Sequence, residues 1–482
     1  MTFNFQNSYT QLDDRLLTRI NPSPVQKPSM VLLNARLTKD LGLDVEFLNS
    51  QDGLQILSGN KIPDNATPIA QAYCGHQFGH FAKLGDGRAH LLGEHITPDG
   101  QRFDIQLKGS GLTPYSRRGD GRAALGPMLR EYIISEAMYA LGVPTTRSLA
   151  VVTSGEPVYR EEILPGAILT RVAQSHIRVG TFQYAASLQD ITVLEDLALY
   201  AMKRHYPETV PDQPDYLLFL KQVQERQASL ISKWLLLGFI HGVMNTDNMS
   251  ICGETIDYGP CAFLDNYDPQ KVFSSIDHQG RYAYCNQGPI AHWNLTRFAE
   301  TLLPLIDSNH DRAVEKAMEI LEVFPEQLQQ KWLTGFRAKL GLRETLKEDE
   351  VLLGDWLKLL QKHNQDFTNS FWSLGQEKDR NLDFFEKEEV KLWLNRWQQR
   401  QRLETTDLLQ RLELMKLNNP FVIPRNHRVE KALSDASIKN DLLETNKLLK
   451  ALTEPYGNHP EFKNYQNPPR PEEEVKQTFC GT

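Results

Sequence analysis

The periodicity of the chain changes along its length, and that change limits the fold more than any single motif. From about Ala66 to Ala173 the sequence is rich in glycine turns and short alternating runs, whereas from about Leu188 to Leu452 long helical patterns dominate. Alternation with period two suits strands and a period of 3.6 suits helices, so a strand-rich lobe should precede a larger helical one in an α+β protein. In the first stretch, residues 89–96 and 102–108 flank Thr97-Pro-Asp-Gly100, a turn whose glycine is available for positive φ, which predicts a hairpin. Phe103, Ile105 and Leu107 then share one face, and Asp104, Gln106 and Lys108 share the other. Residues 149–152 and 167–171 read as a second strand pair. Between the pairs, Pro127 to Leu141 reads as a helix, with proline at its start and Gly142 just beyond its end. In the second stretch, Asp311 to Phe324 is an amphipathic helix expected to stop at Pro325, and residues 353–361 and 390–414 continue the helical pattern. The proline-rich tail from Pro455 should drape over the body or stay mobile.

Composition narrows the function classes. The 482 residues are 40% hydrophobic and 24% charged, enough for two or three domains' worth of core. A net charge of −8 argues against a nucleic-acid partner, which usually meets a basic face. The most apolar stretch, Trp234 to Ile240, is too short for a membrane span and follows Lys233, so it reads as part of a buried helix. The first residues lack a basic region followed by an apolar core, and the five cysteines show no CxxC spacing. A cytoplasmic protein with no nucleic-acid or membrane partner is expected, and a monomer.

Several polar groups remain for chemistry. Gly85-Asp-Gly87-Arg88 precedes the first hairpin strand, where close backbone approach would cradle phosphates; alone the signal is weak, and an ordinary glycine turn would explain it equally well. It is followed by the polar-face Lys108 and then by Glu131 on the predicted helix, with Glu136 as a less favoured substitute. Glycine loop, hairpin, lysine strand and glutamate helix follow one another as in the small lobe of a protein kinase. Tyr115 to Arg122 is a second glycine-rich, basic loop containing Asp120 and Gly121, and Arg171 and Arg178 are spaced to reach one phosphate cluster. Cys74, His76 and His80 do not match a zinc spacing, and the histidines are expected to make hydrogen bonds instead.

Further on, His241-Gly-Val-Met-Asn-Thr-Asp-Asn248 and Asp257-Tyr-Gly259 look like the catalytic and metal loops of a kinase with one residue wrong. The kinase base stands five positions before the metal-binding Asn, and that position here is Val243, which cannot accept a proton. Asn248 and Asp257 offer the hard oxygens that a divalent ion takes when it also binds nucleotide phosphates. Asp247, the only carboxylate within the first loop, is either the base or a further metal ligand. The chain therefore uses a kinase scaffold for different chemistry or is a dead kinase.

With these residues in hand, the chain resembles the selenoprotein O family, also called the YdiU family, over nearly its whole length. The motifs are residues 73–79, 84–88, 106–111 and 117–122, Arg171 with Arg178, Asn245-Thr-Asp-Asn248 and Asp257-Tyr-Gly-Pro260. The resemblance implies a bilobal pseudokinase fold that binds ATP in reverse orientation and transfers AMP to Ser, Thr or Tyr of proteins; UMP transfer from UTP supported by Mn²⁺ is also attributed to bacterial members. It implies that Gly85, Gly87, Arg88, Lys108, Asp120, Gly121, Arg171, Arg178 and Asp257 hold the nucleotide and that Glu131 pairs with Lys108. Asn248 and Asp257 would bind Mg²⁺ or Mn²⁺, and Asp247 would accept the proton. The alternatives are a true phosphotransferase and a silent nucleotide-binding scaffold. The expected units are an N-terminal extension over 1–65, a nucleotide-binding lobe over 66–180, a helical lobe with the catalytic loops over 181–454 and a tail over 455–482. Family members end near a Cys or selenocysteine, matched by Cys480, a candidate redox-active thiol. Some pair it with a cysteine after the metal motif, but Lys271 to Ser275 has none, so such a disulfide would need Cys285 or Cys261.

Overall fold

The computed structural model describes residues 2–210, 212–376, 382–457 and 459–479. Its main sheet has eight strands, all paired antiparallel: β1 (Leu17–Arg19), β2 (Ser29–Leu33), β3 (Ile69–Gln71), β6 (Ala89–Ile96), β7 (Arg102–Lys108), β8 (Ala123–Ala124), β9 (Arg147–Tyr159) and β10 (Ile163–Ala173). The order is β1-β3-β6-β7-β10-β9-β2, with β8 on β10. A separate hairpin joins β4 (Cys74–Gln77) to β5 (His80–Lys83). The first 33 residues thus supply the strands at the two ends of the sheet order.

The hairpin of β6 and β7 lies where the turn chemistry predicts, with Gly100 at φ +84° and Ala89 opposite Lys108. Alternation then assigns the faces. Leu92, Ile105, Leu107, Val152 and Ile168 pack against Phe3, Leu37, Leu48 and Leu57 of the N-terminal segment. On the opposite face, Leu91, Val151 and Leu169 join Leu129, Ile133 and Ala137 of the helix Leu125–Ala140. That helix begins two residues before Pro127, which therefore sits in its first turn, where a missing N–H costs nothing. The strands at 149–152 and 167–171 are the centres of much longer ones.

The second half is helical. Helix Tyr216–Leu237 contains most of the apolar run read from the sequence and ends at Gly238, whose φ is +71° and where a Cβ would stand 2.8 Å from the Phe367 ring. A two-stranded ribbon follows, β11 (Phe239–Ile240) with β12 (Ala262–Phe263). Everything between these short strands, including Asp247, Asn248 and Asp257, hangs from that ribbon as loop. No helix among the described residues is long and apolar enough to cross a membrane.

Two helical expectations need correction. Pro325 does not stop a helix running to Phe324; helix His310–Leu321 ends earlier, and Phe324 and Pro325 open the next helix, Phe324–Lys339. Proline's fixed φ suits a first turn as well as it breaks an interior, and sequence period alone does not distinguish the two. The pattern over 390–414 is also split, into Glu388–Gln401 and Leu408–Asn418, because Asp407 and Gln410 form a reciprocal cap that starts a new helix. The expectation at 353–361 falls inside helix Asp349–Lys362. The tail drapes: the Thr478 N–H donates to the Phe273 carbonyl at 2.8 Å and its hydroxyl to the Pro260 carbonyl at 2.6 Å.

One buried acid ties the sheet to these loops. Glu254 accepts from the Gln174 N–H at 3.0 Å and from the Cys252 thiol at 3.7 Å, and burial pushes its carboxyl up to about 7. A folded-state value above the usual carboxylate range means that the folded chain holds a proton which the unfolded chain releases near pH 4.5. Stability is therefore lost as pH rises from about 4.5 to 7. Glu254→Gln keeps the acceptor without the charge, so it should flatten this slope and raise stability at pH 8 by roughly 2 kcal/mol. Denaturant melts at pH 5 and pH 8 check it, and parallel pH profiles for the two proteins would exclude it.

Candidate functional site

Three cations converge on one carboxylate. Lys108 ends β7, and its Nζ donates to Glu131 Oε2 at 2.6 Å and to Asp257 Oδ1 at 2.8 Å. Arg171, on β10 in register with Gln106, donates from Nε to Glu131 Oε1 at 2.8 Å and from Nη2 to Asp257 Oδ1 at 2.6 Å. Arg178, just before helix Val179–Ser187, donates from Nη1 to Asp257 Oδ2 at 3.0 Å and to the Asp247 carbonyl at 2.9 Å, and stacks on the Tyr73 ring. The side chain of Arg171 is 2% exposed, so it is almost wholly removed from water. Asp257 itself takes the left-handed conformation at φ +64°, which aims its carboxylate back at the sheet. Burial alone would raise its pKa, but Arg171, Lys108 and Arg178 together hold it well below the usual carboxylate range. Glu131 is lowered in the same way by Arg171 and Lys108 against the effect of burial. Glu136, by contrast, is occupied by Arg147 in a two-pronged ion pair.

Asp247 lies beside this cluster in a single 3-10 turn, Thr246–Asn248. Its carboxylate is buried, its Oδ1 has no hydrogen-bond partner, and burial pushes its pKa up to about 6 although Arg178 pulls the other way. Strand β4 crosses directly over it: a Cβ on Gly75 would stand 2.1 Å from Asp247 Oδ1, so any side chain there would displace the carboxylate. Asn248 donates from Nδ2 to the Val243 carbonyl at 3.0 Å, which turns its amide oxygen the other way. The residue at the vacant base position therefore serves through its backbone.

The hairpin of β4 and β5 was not assigned this place from sequence. The His76 N–H donates to Thr246 Oγ1 at 2.7 Å, the Phe78 N–H to Asn245 Oδ1 at 3.0 Å, and Thr246 in turn donates to Gln183. The Tyr282 hydroxyl donates to the same Asn245 oxygen at 2.6 Å. The available signal was Gly75 and Gly79 within one short polar run, a pattern suited to close backbone approach. His76 makes a ring-nitrogen hydrogen bond with Gln183, and no cluster of three or more His, Cys, Asp or Glu that could hold a metal occurs among the described residues.

The two glycine-rich loops form one assembly. A Cβ on Gly85 would stand 2.3 Å from the Tyr115 ring, and one on Gly87 2.8 Å from the Tyr115 carbonyl. Gly121, at φ +68°, packs its Cα against Gly111. The Arg88 carbonyl accepts from the Gly109 N–H at 2.7 Å, which ties the first loop to the residue after Lys108. Asp86, between the two glycines, is buried and accepts from the Gln71 N–H and the Gln106 amide. Asp120 sits further out, in an exposed ion pair with Arg160 at 2.8 Å. Cys480 lies outside the described residues; Cys261 is a buried free thiol and Cys285 an exposed one.

A family model described as protein adenylyltransferase SelO matches residues 1–453. The protein nucleotidyltransferase YdiU of Brevibacillus brevis is 58% identical over 482 residues, covering 100% of this chain and 98% of the relative. The proteins of the same name from Bacillus cytotoxicus and Geobacillus kaustophilus are 55% and 54% identical over 480 residues, covering 100% of this chain and 98% and 99% of theirs. With matches of this extent, the chain belongs to the SelO family.

Proposed function

We propose that this protein transfers AMP from ATP to Ser, Thr or Tyr hydroxyls of other proteins and releases pyrophosphate. Its family and the names of its relatives support nucleotidyl transfer to proteins. The observation that carries the reading to this chain's residues is a buried carboxylate with an unpartnered oxygen, Asp247, whose backbone carbonyl is held by Arg178, one of three buried cations gathered on Asp257. Cations fixed in a water-poor site stabilise negative charge where it develops, without reorganising during the reaction. The arrangement is kinase-like, with a glycine loop over 85–88, a strand lysine, a helix glutamate and two loops on a ribbon, and residues 66–180 and 181–454 act as its two lobes.

The acceptor hydroxyl oxygen bonds to the α-phosphorus while the bond from that phosphorus to the bridging oxygen of the β-phosphate breaks. Asp247 Oδ1 receives the hydroxyl proton. Lys108, Arg171 and Arg178 take up the charge that builds on the pyrophosphate, which requires the nucleotide to lie reversed, with its α-phosphate toward Asp247. Phosphate oxygens replace Asp257 as partners of these cations, and the backbone of the glycine loops, with Arg88, Asp120 and Gly121 at its outer edge, lines the rest of the nucleotide. Asn248 and Asp257 fit a hard divalent ion, Mg²⁺ or Mn²⁺: both present oxygens, and the bond from the Asn248 amide nitrogen to Val243 leaves its oxygen as the ligand. When bound, the ion supplies Lewis-acid polarisation of the phosphate. UTP is a second nucleotide of the same triphosphate chemistry.

ATP labelled at the α- or γ-phosphate, incubated with the protein and an acceptor protein, should transfer only the α-label; γ-label transfer would make this a kinase, and no label a scaffold. Asp257→Ala should abolish transfer, since it removes a metal ligand, leaves Lys108 and Arg171 to share Glu131 alone and takes from Arg178 its hydrogen-bonded carboxylate; full activity in the folded variant would refute the assignment. Asp247→Asn should lower kcat by roughly 10²–10⁴-fold. Its nucleotide affinity should stay within about twofold, because the phosphate-binding cations are untouched; unchanged kcat would remove Asp247 from the base role.

A further inference from the structure

A protein acceptor must present its hydroxyl at Asp247, so some surface near that residue must hold the acceptor chain. The molecule carries an unusual ledge there. Trp293 lies between two arginines, with the Arg281 guanidinium 5.0 Å and the Arg297 guanidinium 5.2 Å from its ring. The His76 ring meets Trp293 edge-on at 5.2 Å and Phe81 at the same distance, and Phe81, on β5, is 50% exposed. This group is tied to the catalytic loop at two points. The His76 N–H holds Thr246, next to Asp247, and Tyr282, the neighbour of Arg281, holds Asn245, two residues before Asp247.

The charges on the ledge are unbalanced. Arg297 pairs with Glu300 at 2.5 Å. Asp277, the carboxylate nearest Arg281 in the chain, is taken up by the backbone N–H groups of Arg281 and Tyr282 at 2.9 and 2.8 Å. Among the described residues no carboxylate pairs with the Arg281 guanidinium, which lies over the Tyr282 and Trp293 rings. His80 and Lys83, on the same hairpin, are exposed and add no negative charge. A cationic, aromatic surface on a chain of net charge −8 is a local exception. Arginine and tryptophan are also the residue types that dominate binding energy at protein interfaces, because they combine a large stacking face with fixed donors.

We infer that the ledge formed by Phe81, Arg281, Trp293 and Arg297 docks the acceptor protein and selects a segment in which Asp or Glu flanks the target hydroxyl. The inference rests on the adenylyl-transfer reading and adds to it a substrate class. The acidic side chain pairs with Arg281, while an apolar neighbour in the same segment covers Phe81 and Trp293. The nucleotide is held elsewhere, by Lys108, Arg171 and Arg178, so the ledge acts on acceptor affinity alone.

The test uses three peptides of equal length, each with one serine, flanked by Asp and Glu, by Gln, or by Lys, with ATP labelled at the α-phosphate. The acidic peptide should be used about tenfold more efficiently in kcat/KM than the lysine peptide, with the difference in peptide KM. Arg281→Glu, a partly exposed substitution, should reverse that ranking, Arg297→Glu should weaken it, and the KM for ATP should stay unchanged in both. Label transfer with no charge ranking, or a ranking that survives Arg281→Glu, would overturn the inference and leave adenylyl transfer standing. A changed KM for ATP would place Arg281 in the nucleotide site and overturn it as well. Absence of α-label from all three peptides and from whole acceptor protein would overturn the adenylyl-transfer reading, and this inference with it.

Discussion

The carboxylate of Asp257 is the point to which the rest of the structure is tied. It accepts from a lysine on β7, an arginine on β10 and an arginine at the start of a helix, while itself lying on a loop hung from the β11–β12 ribbon. Each contact at roughly 3 Å is worth on the order of 5 kcal/mol at an effective dielectric near 20. Removing each ion from water costs several kcal/mol, so the cluster is close to balance rather than strongly stabilising. What it provides is position. Because Asp257 is shared among all three cations, the sheet, the helix bearing Glu131 and the two loops hold one arrangement.

That balance also explains how such a site can receive a polyphosphate. Lys108, Arg171 and Arg178 face Glu131 and Asp257, which leaves one positive charge over, set against Asp86 at 3.9 Å from Arg178. Burial raises the pKa of Asp86, which weakens its claim as a full counter-charge. In the proposed mechanism, phosphate oxygens take the place of Asp257 as hydrogen-bond acceptors of these cations. The cost of desolvating the cations has already been met on folding.

The parts of the site legible in the sequence are those set by short-range rules. Period-two alternation put Lys108 on the face away from Ile105 and Leu107, and the turn at Gly100 fixed the hairpin that carries it. Glu131 is favoured by its place in the first turns of the helix that follows Lys108; it lies against Lys108, whereas Glu136, further along the helix, is taken by Arg147. What the sequence hid depends on contacts between distant segments. Strands β4 and β5 have four residues each, too few for a periodic signal, and their position over Asp247 follows from bonds to Thr246, Asn245 and Gln183 more than 100 residues away. Asp120 looked like part of an anion pocket because it sits between arginines in sequence, but its nearest cation in space is Arg160, from the turn between β9 and β10. Pro325 failed for a different reason, since the same residue ends one helical pattern and begins another.

In the proposed mechanism the base is relocated from the position of Val243 to Asp247. Valine at that position contributes a buried side chain and a carbonyl that orients Asn248. Four residues on, Asp247 gives its own carbonyl to Arg178 and keeps a carboxylate oxygen unpaired beneath Gly75. Asp247, the proposed proton acceptor, and Arg178, a proposed leaving-group cation, are thus joined by a single hydrogen bond to the Asp247 backbone. Because Arg178 binds the Asp247 carbonyl and the Asp257 carboxylate together, it cannot move toward a phosphate without carrying the geometry of both loops with it. In the proposed mechanism this bond couples the group that activates the acceptor to a group that stabilises departure.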